Sequence, residues 1–342
     1  MDERAEDSMP ERAAGSTPKL WFMLEADRWL VAATLSAALW LGIVALGAAH
    51  PTPARVLLAS GDPVETLFQA LVAGTITAVT LVLTLSQLVL SQELGAVGDQ
   101  RERMEGAMSF REDVADVVGT DVSPAEPSAF LRSLVRATRE RAETIDEAVG
   151  DAVERDFGEP LEGYLASVIQ DAEATTDRLE DTSFGTFAVV RAALDYNYSW
   201  KLYVGNRILA EHGPDLPTEA REALEALVAT LELFGPAREH VKTLYFQWEL
   251  SNLSRVLLVT AIPALVVAVG TLAFFDPARV SGTVLRLDYA LLLLATTVTV
   301  SLVPFSLLLA YILRIVTVTK RTLSIGPFIL RETDRDAEID WE

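Results

Sequence analysis

The chain has no cysteine in its 342 residues, which removes disulfides, thiolate metal sites and cysteine nucleophiles together. Histidine is almost as scarce. His50, His212 and His240 lie far apart, none in an HExxH spacing, so each reads as a surface or helix-end residue and not as a metal ligand. Lysine is confined to Lys19, Lys201, Lys242 and Lys320. There is no Walker A loop, no Rossmann glycine fingerprint and no GxSxG elbow. No motif therefore argues for an enzyme, a cofactor or a metal. Alternation of period two is missing from Phe110 to Asn252, which leaves no credible strand there.

Half of the residues are hydrophobic, the mean hydropathy is +0.27, and the formal net charge is −21. A single water-soluble globule rarely combines these properties, so they must sit in different parts of the chain. The acids concentrate between Glu93 and Ser254, at roughly two for each basic residue. A surface of that sign argues against nucleic acid as a partner, because phosphate binding needs the opposite charge. Abundant acid with arginine in place of lysine reads as solubility in molar salt, where the Debye length falls to about 3 Å and like charges are screened.

Met1 to Ser16 is polar and has no apolar h-region after a basic start, so it reads as a disordered tail and not a cleaved signal peptide. Thr17 and Pro18 look like the cap and first turn of a helix, and Lys19 to Arg28 mixes Leu20, Trp21, Phe22 and Leu24 with charge as an interfacial segment does. Trp29 to Ala49 is an uncharged run of bilayer length, ended by His50, Pro51 and Pro53. Within it Ala33 with Ala37, and Ala38 with Gly42, offer small residues four apart for close helix approach. A second apolar run opens near Val64, a third covers Val256 to Phe275 with a kink expected at Pro263, and a fourth covers Tyr289 to Leu313 with Pro304 inside.

Between the second and third runs the pattern is helical. Ser123 with Glu126 suggests a capping box, with a second start at Ser128. One face runs Leu131, Leu134, Thr138, Ala142, Ile145, Val149 and Ala152. Pro160 restarts the pattern with Leu161, Leu165, Val168, Ala172 and Leu179. A third stripe, Val189, Ala193, Tyr196, Trp200 and Tyr203, is aromatic and expected to be core. A shorter helix, Thr218 to Phe234, should stop at Gly235 and Pro236, and a last one from Ala237 has no stop signal before the third apolar run. An antiparallel bundle is the economical way to bury these faces.

The sequence thus predicts an all-α polytopic membrane protein with four transmembrane helices and a cytoplasmic helical bundle between the second and third spans. Its divisions are a tail (1–16), the interfacial segment with spans one and two (17–94), an acidic helical domain (95–254), spans three and four with an extension (255–325) and an acidic tail (326–342). Lys19, Arg28, Arg101, Arg103, Arg255, Arg314, Lys320 and Arg321 fall on one side, against Arg55, Arg279 and Arg286 on the other, which places both termini in the cytoplasm and the protein in the cell membrane.

The candidate functional residues form a stripe on the second span. Thr66, Gln69, Thr77, Thr80, Thr84, Gln87 and Ser91 recur at nearly heptad spacing among Leu, Val and Ile. Such a stripe in lipid must face other helices or a wetted path. Packing implies a homo-oligomeric scaffold or sensor whose bundle binds a protein partner, and a wetted path implies a channel or passive transporter. No ionisable residue lies inside any expected span, which weighs against coupled transport.

The strings FGPAREHVKTLYFQWELSNLSR (Phe234 to Arg255) and LLLAYILRIVTVTKRTLSIGPFIL (Leu307 to Leu330) resemble uncharacterised four-span integral membrane proteins of haloarchaea. The resemblance implies habitat and topology and assigns no site.

Overall fold

The computed structural model describes residues 17–24, 26–58, 62–93, 95–149, 155–180, 182, 185–277 and 279–321. Both predicted tails and Ala152 fall outside them. The described chain is almost entirely α-helical and divides into two compact units, one holding Gly95–Phe246 and the other Pro18–Leu94 with Gln247–Thr317.

The second unit begins with helix α1 (Thr17–Leu24) and turns at Ala26 into α2 (Arg28–Ala49). Asp27 caps α2 by accepting from the Trp29 amide at 2.8 Å, as an N-cap aspartate should. A short turn, α3 (Ala54–Leu57), leads to α4 (Asp62–Glu93). The rest of the unit is the C-terminal part of α10 (Thr218–Phe274), then α11 (Tyr289–Ser301) and most of α12 (Val303–Arg321). Three helices, α2, α4 and α10, are long and apolar enough to cross a membrane, and the α11–α12 pair is a fourth if its 49° bend is counted within one span. Only 17% of the most apolar window of α2, and the same share in α4, is buried. Water would penalise that much exposed hydrocarbon heavily.

The bend was foreshadowed by Pro304. Proline supplies no amide to the Val300 carbonyl and its ring clashes there. The Leu302 amide closes the end of α11 onto the Val298 and Thr299 carbonyls instead. The expected single helix Tyr289 to Leu313 is therefore two. Between α10 and α11 a two-residue hairpin, β1 (Thr283–Val284) with β2 (Leu287–Asp288), turns through Leu285 and Arg286, both at positive φ. The small residues expected to admit another helix at α2, Ala33, Ala37, Ala38 and Gly42, are exposed in this chain. Close approach falls on Gly47 instead, where an added Cβ would lie 2.5 Å from Leu291 Cδ1.

The first unit contains α5 (Val97–Val118), α6 (Pro127–Val149), α7 (Arg155–Glu180), α8 (Phe187–Asp195), α9 (Tyr198–His212) and the N-terminal part of α10. Gly119, at φ 72°, ends α5, and the Thr120 and Gly119 amides close onto Ala115 and Asp116, a Schellman stop that needs glycine. The start of α6 is not the expected box at Ser123. Glu126 itself caps it, accepting from the Ala129 amide at 2.7 Å. The predicted inward faces of α6 and α7 hold, with Leu131, Leu134, Ile145, Leu161, Val168 and Leu179 all buried. Helix α7 starts at Arg155, ahead of Pro160.

Gly235 and Pro236 do not stop a helix, because α10 runs through them and through Pro263. Proline in a helix interior costs about 3 kcal/mol. Against this, Leu231, Phe234, Ala237 and Val241 on both sides of the step are buried, and each large one contributes about 1.5 to 3 kcal/mol. Gly235 also admits the Tyr198 ring, whose Cε2 would stand 3.1 Å from an added Cβ.

Candidate functional site

The polar stripe is exposed on α4. Phe68, Thr75 and Val82, seven residues apart on α4, are buried. Thr77, Thr84 and Ser91 repeat the same interval two residues later, about 200° around the helix, and are exposed, as are Thr66, Gln69, Thr80 and Gln87. The Thr77, Thr80 and Thr84 hydroxyls each donate to the carbonyl four residues back at 2.9 Å. Such back-bonded threonines satisfy their own donors. The carboxamides of Gln69 and Gln87, with two donors and an acceptor apiece, have no such local solution. Inward polar groups on α4 are ones outside the predicted stripe: Thr75 donates to the Leu71 carbonyl, and Ser86 is hydrogen-bonded to Ser254.

Several hydroxyls of the fourth apolar run are hydrogen-bonded within the chain, while the buried Thr299 hydroxyl has no hydrogen-bond partner among the described residues. Ser306 accepts from Ser36 at 3.2 Å, and Thr296 accepts from Trp40 Nε1 at 3.2 Å while donating to the Leu292 carbonyl. Ser301 is buried and donates to the Thr297 carbonyl at 2.7 Å. The Trp40–Thr296 and Ser36–Ser306 bonds join α2 to α11 and α12.

Sequence reasoning treated Arg28 and Arg314 only as membrane-edge charges and missed that they converge. Both donate to the Ala26 carbonyl, at 2.7 and 3.0 Å. Arg28 also reaches the Ala310 carbonyl of α12 at 3.2 Å and the Leu24 carbonyl at the end of α1 at 3.3 Å. Arg314 pairs with buried Glu249 of α10 at 3.4 Å. The corner between α1 and α2 is thereby tied to α10 and α12. A cation beside the last carbonyls of α1 also meets the negative end of that helix. The only sequence signal was the position of Glu249, an acid just ahead of an apolar run.

In the first unit the aromatic stripe is partly as expected. Tyr196 is buried and Trp200 is 7% exposed, but Tyr203 is 49% exposed. The predicted continuous helix breaks at Tyr196 and Asn197 into α8 and α9, and the change of phase turns Tyr203 outward. Around Trp200 lies a polar core. Lys201 is fully buried, pairs with Asp171, and sets its ammonium 5.2 Å from the Tyr196 ring centre and 5.7 Å from that of Trp200. Tyr164 donates to the Lys201 carbonyl at 2.9 Å. Burial pushes both the Tyr164 and the Tyr196 phenols well above their ordinary range. Asp195 is buried against Arg178 at 3.1 Å. This arrangement specifies packing and presents no nucleophile to solvent.

Among the described residues no cluster of three or more His, Asp or Glu side chains is placed to hold a metal. His50 and His240 are exposed and His212 closes α9. The profile of a "Family of unknown function (DUF7972)" matches residues 1–342. No curated protein and no solved structure matches the chain.

Proposed function

We propose that this chain, which belongs to a family of unknown function over residues 1–342, is an integral membrane protein that assembles with copies of itself as a scaffold or sensor, its acidic helical unit binding a protein partner in the cytoplasm. The exposure of the whole α4 stripe carries the reading. A glutamine amide turned out of its own subunit in hydrocarbon gains by meeting another helix, and a second copy presents the same groups. Intramembrane contacts of this kind contribute only about 0.6 kcal/mol each, but a row of them fixes register. The bonds of Thr296 to Trp40 and of Ser306 to Ser36 argue in the same direction, since they spend polar groups on packing between helices. Counting the bent pair as one span gives four crossings, and the basic flanks then set both termini in the cytoplasm. The acidic surface fits a cytoplasm of molar salt, in keeping with the resemblance to haloarchaeal membrane proteins.

A channel is the second reading, favoured by the 49° break in the fourth span together with a stripe that faces out of the subunit. One variant separates the two. Gln87→Leu in a packing seam weakens cross-linked assembly and leaves insertion intact, whereas in a pore wall it preserves assembly and lowers conductance through dewetting. The scaffold reading expects the first result, measured by cross-linking in membranes alongside planar-bilayer currents in molar salt. Unchanged assembly with a reduced current would overturn it in favour of the channel.

A further inference from the structure

Between the last apolar turn of α10 and the first of α11 the chain makes a hairpin whose tip is apolar and strained. Thr283 pairs with Asp288 and Val284 with Leu287, so Leu285 and Arg286 are the two central residues of the turn. Both have positive φ, 51° and 68°, the type I′ geometry that Asn-Gly ordinarily fills, because a Cβ is disfavoured there. Leu285 is nonetheless 90% exposed, and Phe274 at the end of α10 is 86% exposed. The base of the hairpin is fixed to the start of α11. The Tyr289 amide donates to the Gly282 carbonyl at 3.1 Å, and an added Cβ at Gly282, where φ is 120°, would lie 2.6 Å from Tyr289 Cε2.

We propose that this tip is a lipid-contacting element, with Leu285 seated at the boundary between headgroups and acyl chains and Arg286 among the headgroup phosphates. The inference rests on the membrane insertion proposed above. With α10 and α11 crossing a bilayer, Phe274 and Tyr289 stand where its hydrocarbon ends, and Tyr289 is of the aromatic type enriched at that level. Each strand has two residues, which lifts the tip by about 7 Å. The headgroup zone of one leaflet is about 5 to 7 Å deep, so an upright hairpin only just reaches its outer limit and a tilted one stays within it. In water, leucine at this position is disfavoured twice, by its backbone and by its exposed hydrocarbon. At the boundary the second effect reverses sign. Val284, 41% exposed, extends the apolar edge. The adjoining Arg286 suits the phosphate layer, where a cation is attracted to negative headgroups.

The chain has no native cysteine, so a single introduced thiol carries the probe. Leu285→Cys, Arg279→Cys and Val266→Cys are each labelled with a nitrobenzoxadiazole dye in the full chain and reconstituted in phosphatidylglycerol–phosphatidylcholine vesicles at molar salt. Arg279 is in the same loop with its side chain 87% exposed, and Val266, 67% exposed, lies midway along the third apolar run. Aqueous iodide is expected to quench position 285 at least fivefold less than 279, while a lipid nitroxide near the headgroup quenches 285 more than one deep in the acyl chain. At 266 the deep nitroxide is expected to dominate. Equal iodide quenching at 285 and 279, with 266 still quenched by the deep nitroxide, would overturn the lipid contact and leave membrane insertion standing. Shielding of 285 from iodide without nitroxide quenching would replace lipid by a protein cover and sink the proposal. Absence of deep quenching at 266 would overturn the insertion and the tip contact together.

Discussion

At the residue scale, the contrast between Trp200 and Tyr203 shows what periodicity can miss. Both lie on one predicted stripe, but the break at Tyr196 and Asn197 sends the first ring inward and the second to solvent. Trp200 packs on Tyr164, with ring centres 6.0 Å apart, and covers the buried Lys201 ammonium. Trp200→Ala should therefore cost about 3 to 5 kcal/mol, as emptying a large aromatic site does. Tyr203→Ala should stay within about 0.5 kcal/mol, as for an ordinary surface change. Denaturant melts of the two variants in molar salt, followed by helicity, check the pair. Equal effects would mean that α9 sits in the bundle in another phase.

At the scale of the element, glycines decide where helices touch. Gly42 and Gly47 are both in α2, and an added Cβ at Gly42 meets nothing within 4 Å, whereas at Gly47 it meets the Leu291 side chain of α11 at 2.5 Å. Gly47→Ala is expected to destabilise the apolar unit by about 1 to 3 kcal/mol, the usual cost of overpacking. Gly42→Ala should be neutral or slightly stabilising, because alanine is the better helix former by about 1 kcal/mol. Thermal inactivation of the detergent-solubilised protein should rank them in that order. The same logic explains why Gly235 and Pro236, a stop signal by local propensity, sit inside α10: the burial of Phe234 and Val241 on either side outweighs the local cost.

For the whole molecule, charge is the governing quantity. With a net charge of −21, lowering salt from molar to roughly 0.1 M lengthens the Debye length from about 3 to about 10 Å and exposes the acidic helical unit to its own repulsion. That unit should lose helicity at lower temperature in dilute salt while the apolar helices persist, which circular dichroism across a salt series would register. Melting that is unchanged across the series would show that the acids do not act as an adaptation to brine.

The helical class, the apolar runs and the inward faces of α6 and α7 were legible in the order of residues, because a period of 3.6 and an uncharged run of bilayer length are local properties. The stripe on α4 was legible as a pattern too, but its direction was not. Polar residues on one helix face look alike whether they point at a neighbour or away from it, and only the burial of Phe68, Thr75 and Val82 assigned the opposite face to the interior. The corner that joins Arg28, Glu249 and Arg314 was equally closed to sequence. Its members are separated by more than two hundred residues at one step and sixty-five at the other, and hydrogen bonds at such distances along the chain are created by packing, which no local periodicity encodes.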